Sequence, residues 1–464
     1  MNYEPPPDAF DEAFSDDGRV RPLYAELVGA FARLDLAALA EAVAGEAAQR
    51  GVSFVHDGVS EPFTLDPVPR LISADEWSLL ERGLAQRVRA LDRFVADVYG
   101  DGRIMAAGVL RERALESCDH FEPRLVGLPP PAVRIGVAGL DLVRGARGRF
   151  GVLEDNVRTP SGVAYAMAAR ECLDAQLPLW LADGRRPLDG AVDLLARTLR
   201  GAAPDGVGDP TTVMLSDGPE NSAWFEHERL AGLLDIPVVA LEDLSVRRGR
   251  LEARSGRSLF RVDVVYRRTD EDRLTDDRGE LTDVGAKLLE PMEKGTLTCV
   301  NAFGTGVADD KLVHAYVEDI VRFYTGEEPL LPSVRTYDPD VPDQRDEVLD
   351  RIDELVIKPR TGHGGHGVVV AAHARDDDVR AAARAVDADP DAFIAQETVM
   401  ISTHPTVIED RLEPRHVDLR PFVFLADEEA GVVPGGLTRV ALDAGALVVN
   451  SSQRGGGKDT WVMT

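Results

Sequence analysis

Cysteine is almost missing: Cys118, Cys172 and Cys299 are the only three in 464 residues, far apart and in no metal-binding spacing. That excludes a disulfide scaffold or a cysteine-based metal domain and fits a reducing compartment, with all three as small core hydrophobes. No apolar run approaches 18 residues, and the N-terminus lacks a basic region followed by an apolar one, so the expectation is a cytoplasmic chain without membrane spans. Positive charge is also short. The net charge is −29 and the pI about 4.7, which disfavours nucleic acid and anionic membranes as partners. Of 52 basic residues only Lys287, Lys294, Lys311, Lys358 and Lys458 are lysine. Acidic excess with scarce lysine fits a salt-accumulating halophile, with codon bias as the other source of the arginine excess.

What is present is globular. Hydrophobic residues make up 44% of the chain, and its 42 glycines and 29 prolines have no period; the length suggests two to four packed units. Residues 1–20 are acidic and aperiodic and read as a loose arm. Ser73-Ala74-Asp75-Glu76 has capping-box spacing, and Leu80, Leu84, Val88, Leu91, Val95 and Val98 then recur at helical intervals. From about residue 132 short β-like runs begin, followed by a helix from about 162 to 177 and a βαβ pattern over 211–245. The segment 310–325 reads as helix. Strands are expected around 355–358, 368–372 and 393–396, with a helix near 376–386. The class is α+β or α/β. The expected units are 1–125 (arm and helical region), 126–205 (metal-binding part), 206–300 (βαβ substrate unit) and 301–464 (nucleotide-binding part with a glycine-loop lid).

Gly362, Gly364 and Gly367 satisfy GxGxxG, but the loop runs into a β-type segment and opens no helix, so the dinucleotide fingerprint fails. The kinase pattern fails as well: the chain ends 97 residues after Gly367 without HRD or DFG. What remains is a β-hairpin whose glycines let backbone N–H groups approach an oligophosphate, or a glycine-rich hairpin without a ligand. Lys358 on the incoming strand favours phosphate, because a compact ammonium does what arginine's planar fork does not. His363 and His366 read as solvated. In Leu153-Glu-Asp-Asn-Val-Arg158 the alternate residues Glu154, Asn156 and Arg158 share one strand face. A carboxylate and an amide oxygen suit Mg²⁺, an arginine beside them suits an anion, and Asp141 on the neighbouring segment can add a second carboxylate. A plain strand end is the other reading of EDN.

These residues resemble an ATP-grasp enzyme with its parts in reversed order. Lys311 and Lys358-Pro359 match the family's two lysines, Thr361 to Gly367 its glycine loop, and Gln396-Glu397 its adenine hinge. Asp141 and Glu154-x-Asn156-x-Arg158 match its metal-binding elements, yet precede the lysines. With blocks such as VLEDNVRTPSGVAY, NSAWFEHERLA and LEPRHVDLRPFV in order, the chain from about Pro22 to Val462 is similar to the circularly permuted ATP-grasp family related to glutathionylspermidine synthase, as a haloarchaeal or other halophilic member. Departures are His363, His366 and Arg454.

The resemblance implies two α+β lobes with ATP between them, Lys311, Lys358 and Gly362, Gly364, Gly365 and Gly367 on its phosphates, and Gln396 and Glu397 at the adenine. It implies Mg²⁺ on Asp141, Glu154 and Asn156, and a carboxylate–amine ligase working through an acylphosphate held by Arg158 and Arg420. Arg420 has the alternative of a buried pair with Asp418 or Glu413. Asn221, Glu226, His227, Arg267, Arg268 and Asp270 are candidates for the substrate side, with salt bridging as the other reading. A small helical partner protein is also implied. A noncatalytic nucleotide-binding scaffold and a small-molecule kinase stay open as rival functions.

Overall fold

The computed structural model describes residues 3–56, 58–361, 367–426, 428–446 and 455–464. The central feature is a nine-stranded sheet that joins the two ends of the chain. Its order is Glu429–Val432, Phe422–Ala426, Val137–Arg144, Arg411–Arg420, Leu437–Val440, Gly456–Val462, Leu65–Ile72, with Phe150–Asn156 beside Val137–Arg144 and Thr403–Ile408 beside Arg411–Arg420. Only Gly456–Val462 and Leu65–Ile72 run parallel. Every residue of Leu65–Ile72, Val137–Arg144 and Gly456–Val462 is buried, because both sheet faces are covered. The helices Leu36–Gln49 and Val163–Gln176 pack on one side. On the other lies Ala74–Val98, where Ser73 Oγ accepts from the Glu76 N–H at 3.3 Å and the expected apolar stripe faces the core.

A second, four-stranded sheet is fully parallel: Thr298–Val300, Val264–Arg268, Thr212–Ser216, Val238–Val239. It is the βαβ unit expected over 211–245, extended by two strands. Asn301 fastens it to the central sheet by accepting from Val137 N at 2.7 Å and donating to Val137 O and Val157 O at 2.6 and 2.8 Å. A third, antiparallel sheet has the order Thr336–Tyr337, Phe393–Glu397, Leu355–Pro359, Val369–Val370. Helices Pro342–Asp350 and Asp376–Ala388 close its small core around Val348, Ile357 and Val386. Among the described residues no helix is long and apolar enough to cross a membrane.

Three sequence expectations need correction. The arm is docked from Tyr3 onward: Glu12 is buried between Arg70 and Arg144 and accepts from Ser402 Oγ at 2.6 Å, and Glu12 N donates to Thr403 O at 2.9 Å. Its acidic residues are half of a buried ionic network whose arginines lie far along the chain. The helical first unit also supplies the strand Leu65–Ile72 and a hairpin, Ser53–His56 with Val59–Pro62. The helix expected over 310–325 is broken into Lys311–His314 and Val317–Thr325, preceded by Gly306–Asp309. Asp310 caps Lys311–His314, its carboxylate accepting from the Leu312 N–H at 2.7 Å, and so separates it from Gly306–Asp309.

Candidate active site

Strand Phe150–Asn156 is the spine of the site. Its alternation sends Glu154 and Asn156 to the face opposite Asp155. Asp155 points inward, clamped by Arg87 at 2.6 and 2.7 Å and by His314 Nδ1 at 2.7 Å. Glu154 opens toward the third sheet, where Lys358 Nζ lies 3.6 Å from its carboxylate. Lys311 donates to Arg360 O at 3.2 Å, and burial together with the Lys358 charge holds its ammonium below the usual lysine range, against the opposing pull of Glu154. The two lysines and Glu154 therefore form one cluster between the lobes. Gln396 Nε2 ties the lobes again by donating to Leu153 O at 3.3 Å and to Thr336 Oγ1 at 3.0 Å. Glu397 is engaged by Arg351 at 2.9 and 3.0 Å and by the Tyr337 hydroxyl at 2.6 Å. Gly367 sits at φ +73°, with Pro359 where a Cβ would point. Gly362, Gly364 and Gly365 lie outside the described residues, as do His363, His366 and Arg454.

The face of the central sheet next to Glu154 carries a charged row. Asp141 pairs in register with Glu154, and Asp418 with Arg439. Asp141 receives Arg420 Nε and Nη2 at 2.6 and 2.9 Å and Arg439 Nη2 at 2.9 Å, while Arg439 also grips Asp418 at 2.5 Å. Burial alone would raise the Asp141 carboxyl, but the two guanidiniums outweigh it and hold it down to about 2. Asp141 is engaged by two arginines and orients them, and Arg420 pairs with neither Asp418 nor Glu413, the partners weighed from sequence, which are taken by Arg439 and by Arg411 and Arg415.

Glu154 and Asn156 each carry an oxygen of the kind Mg²⁺ takes, which is commonly held by one or two protein oxygens with substrate phosphates and waters completing the shell. The Asn156 Nδ2, buried without a hydrogen-bond partner, is a donor and suits an anionic oxygen beside that ion. Among the described residues no cluster of three His, Cys, Asp or Glu is set to hold an ion without such help.

Beyond Asn156 lies a cavity of about 260 Å³. Its lining includes Arg158, Arg420 and Arg439, the carboxylate residue Asp309, and the aromatic residues Phe54, Phe63 and Tyr165. Arg158 is held by Asp272 at 2.9 Å, Asp309 at 3.3 Å and His120 Nε2 at 3.1 Å. Asp309 also accepts from Val157 N at 2.7 Å and so fixes the turn after the strand. Arg439, Asp309, His120, Asp272 and the aromatic wall were not among the residues expected from sequence. Asp309 alone had a local signal, two positions before Lys311.

The substrate-side candidates stand behind the cavity rather than in it. Glu226 is fully buried, accepting from Gly162 N and Ala164 N at 2.8 and 2.9 Å and facing Arg268 at 3.3 Å. Arg268 donates to Pro160 O at 2.8 Å and Ser161 Oγ at 2.5 Å, so the pair braces the loop that forms a cavity wall. Asn221 bonds Asp270 at 3.0 Å, and Arg267 donates to Asn301 O at 2.8 Å. His227 shares a 2.8 Å bond with Ser216 Oγ, and burial, then the Arg268 charge, push its imidazole down to about 2. An unfolded histidine titrates near 6.5, so below that the unfolded chain binds a proton the folded chain refuses, and stability falls as pH falls through this window. At pH 5 the effect is about 2 kcal/mol. The loss of stability from pH 7 to pH 5, read from urea midpoints, should be smaller by that amount in His227→Gln than in wild type. Equal losses would mean that the folded protein protonates this imidazole.

Residues 69–441 match the model of the family described as circularly permuted ATP-grasp type 2. The chain belongs to that family. An uncharacterized protein of Mycobacterium tuberculosis is 45% identical, with 98% of this chain and 84% of that protein covered. One from a Synechocystis strain is 40% identical over 100% of this chain and 98% of its own. A Frankia casuarinae protein, provisionally named glutamate–cysteine ligase 2-2, is 42% identical over 98% of this chain, but only 54% of the Frankia protein is covered. A glutathione synthetase-like effector from Globodera pallida, solved in apo form, superposes with a TM-score of 0.60 at 12% identity over 93% of this chain and 98% of its own, a likeness of fold alone. The fold is thus the expected permuted ATP-grasp arrangement. These bacterial relatives lend no support to the haloarchaeal origin.

Proposed function

We propose that the protein is an ATP- and Mg²⁺-dependent carboxylate–amine ligase. The observation that carries this reading is the meeting of Lys311, Lys358 and Glu154 in one cleft beside Asn156 and an arginine-lined cavity. Family membership supports nucleotide chemistry, and the Frankia name agrees with a ligase while describing a protein of which this chain matches about half.

Lys311 and Lys358 bind the nucleotide's phosphates as point charges. Glu154 and Asn156 hold Mg²⁺, which when bound neutralises charge on the phosphate oxygens. Arg158 and Arg420 stabilise the phosphoryl group as it passes to a substrate carboxylate oxygen and the bond to ADP breaks. Asp141 aligns Arg420 for that work. The amine then attacks the acylphosphate carbon, the C–N bond forms, phosphate leaves, and the amine's proton goes to solvent.

Pools of carboxylates and amines with Mg-ATP, read by mass spectrometry, should give ADP and a product joined with loss of water. ADP with a phosphorylated small molecule and no need for an amine would make the protein a kinase. Nucleotide binding without turnover in any pool would make it a scaffold. Lys358→Ala should weaken Mg-ATP binding by about 10- to 100-fold, as loss of a charge-assisted phosphate contact does. Its apo melting temperature should be nearly unchanged. Equal affinity by calorimetry would overturn the phosphate role of Lys358.

A further inference from the structure

The lining of the cavity beside Asn156 combines two chemistries. Arg158 and Arg420 line it with 30% and 16% of their side chains exposed. Each is paired with carboxylates, Asp272 and Asp309 for the first and Asp141 for the second, and Asp309 itself lines the cavity. Arg439, the third guanidinium, is shared by Asp141 and Asp418. Three cations are therefore matched by four anions, so the wall offers oriented N–H donors with little net charge. Such oriented donors suit a carboxylate through charge-assisted hydrogen bonds.

The same lining holds an aromatic group, Phe54, Phe63 and Tyr165. Phe63 and Tyr165 pack with ring centroids 4.9 Å apart, and the Tyr165 hydroxyl is already spent on Ser53 O at 2.9 Å, which leaves its ring as the surface it offers. Phe54 stands next to them on the hairpin Ser53–His56 with Val59–Pro62, held in place by Val55 N donating to Ser222 O at 3.1 Å. Phe54 and Phe63 precede residues 69–441, the segment matched by the family model, whereas Tyr165 lies within it.

We infer that the cavity is the acid subsite, that it takes a small monocarboxylic acid with an apolar or aromatic side group, and that Phe54 sets this preference. The inference deepens the ligase reading and takes from it that one reactant is a carboxylate. The carboxylate lies toward Arg158 and Arg420, next to the Glu154 and Asn156 face, and the apolar group lies against Phe54, Phe63 and Tyr165. Size agrees. A cavity of about 150 Å³ holds benzene, so 260 Å³ has room for a phenyl group with its acid arm.

The test is equilibrium binding of acetate, butyrate, hexanoate and 3-phenylpropionate by calorimetry, with Mg²⁺ and a nonhydrolysable ATP analogue present. Affinity should climb along the series, by up to roughly fourfold per added methylene. Phe54→Ala should weaken 3-phenylpropionate by about tenfold while moving acetate less than about twofold, and Phe54→Leu should recover much of the loss. A flat series, or an equal loss for all four acids in Phe54→Ala, overturns the subsite. Because binding is read without turnover, the two readings fail separately. A graded series alongside no ADP formation from any acid and amine overturns the ligase and leaves the subsite standing. ADP formation from polar acids alone, with a flat series, does the reverse.

Discussion

Glu154→Gln should lower ADP formation by at least about a hundredfold while the apo melting temperature stays within about 2 °C of wild type. The fold loses little because the Glu154 side chain is 42% exposed and its carboxylate pairs with Lys358 at a long 3.6 Å. An ion pair that open and that long contributes under about 1 kcal/mol. Turnover loses much more, because the substitution keeps shape and one oxygen yet removes a negative charge where Mg²⁺ must be held during transfer. The sign of the nucleotide effect separates this account from a general weakening. Without Mg²⁺, removing a carboxylate from beside Lys358 relieves repulsion of the triphosphate, so affinity for metal-free ATP should hold or rise. With Mg²⁺, the loss should appear in kcat more than in affinity. A variant that turns over like wild type would remove Glu154 from the metal site.

Legibility followed the range of the interactions. The Ser73 cap and the stripe from Leu80 to Val98 are local periodicities, and the helix Ala74–Val98 is where they point. The alternation of Glu154, Asp155 and Asn156 gave the right split between two faces of one strand. Asp141 shows where such reasoning stops. Periodicity places it on the same face as Glu154, but its occupants, Arg420 and Arg439, come from strands nearly 300 residues away. A sequence gives the face of a residue and not its partner. The same limit hid the docked arm, whose Glu12 reads as solvent-facing until Arg70 and Arg144 are brought to it. It also hid the cavity's aromatic wall, since Phe54, Phe63 and Tyr165 look like ordinary core residues along the chain. Asp310 differs: its cap on Lys311–His314 is local, and an aspartate before Lys311 could have been read as that cap.

Asp155→Ala should destabilise the protein by about 3–5 kcal/mol, although its neighbours Glu154 and Asn156 tolerate substitution. Asp155 is 4% exposed and meets Arg87, itself 1% exposed, through two short bonds, with His314 on the same carboxylate. Removing the carboxylate strands a buried guanidinium whose other partners are Ser333 Oγ at 2.9 Å and the His314 ring. Burial would raise the Asp155 carboxyl, but the Arg87 charge and hydrogen bonds outweigh it and hold it well below the usual carboxylate range. Its contribution is therefore complete above the unfolded value near 3.9 and is lost as pH falls below it. The gap between wild type and Asp155→Ala in urea midpoints should be widest near neutrality and narrow below about pH 4. Replacing both partners, Arg87→Met with Asp155→Leu, should recover a large part of the loss, because two apolar groups leave no uncompensated charge. The recovered double variant should keep the two-sided strand, so Glu154 and Asn156 still face Lys358 and nucleotide binding returns with stability. If Asp155→Ala instead costs under about 1 kcal/mol, the strand is held by its ladder alone, and the Arg87 clamp is not what positions the site.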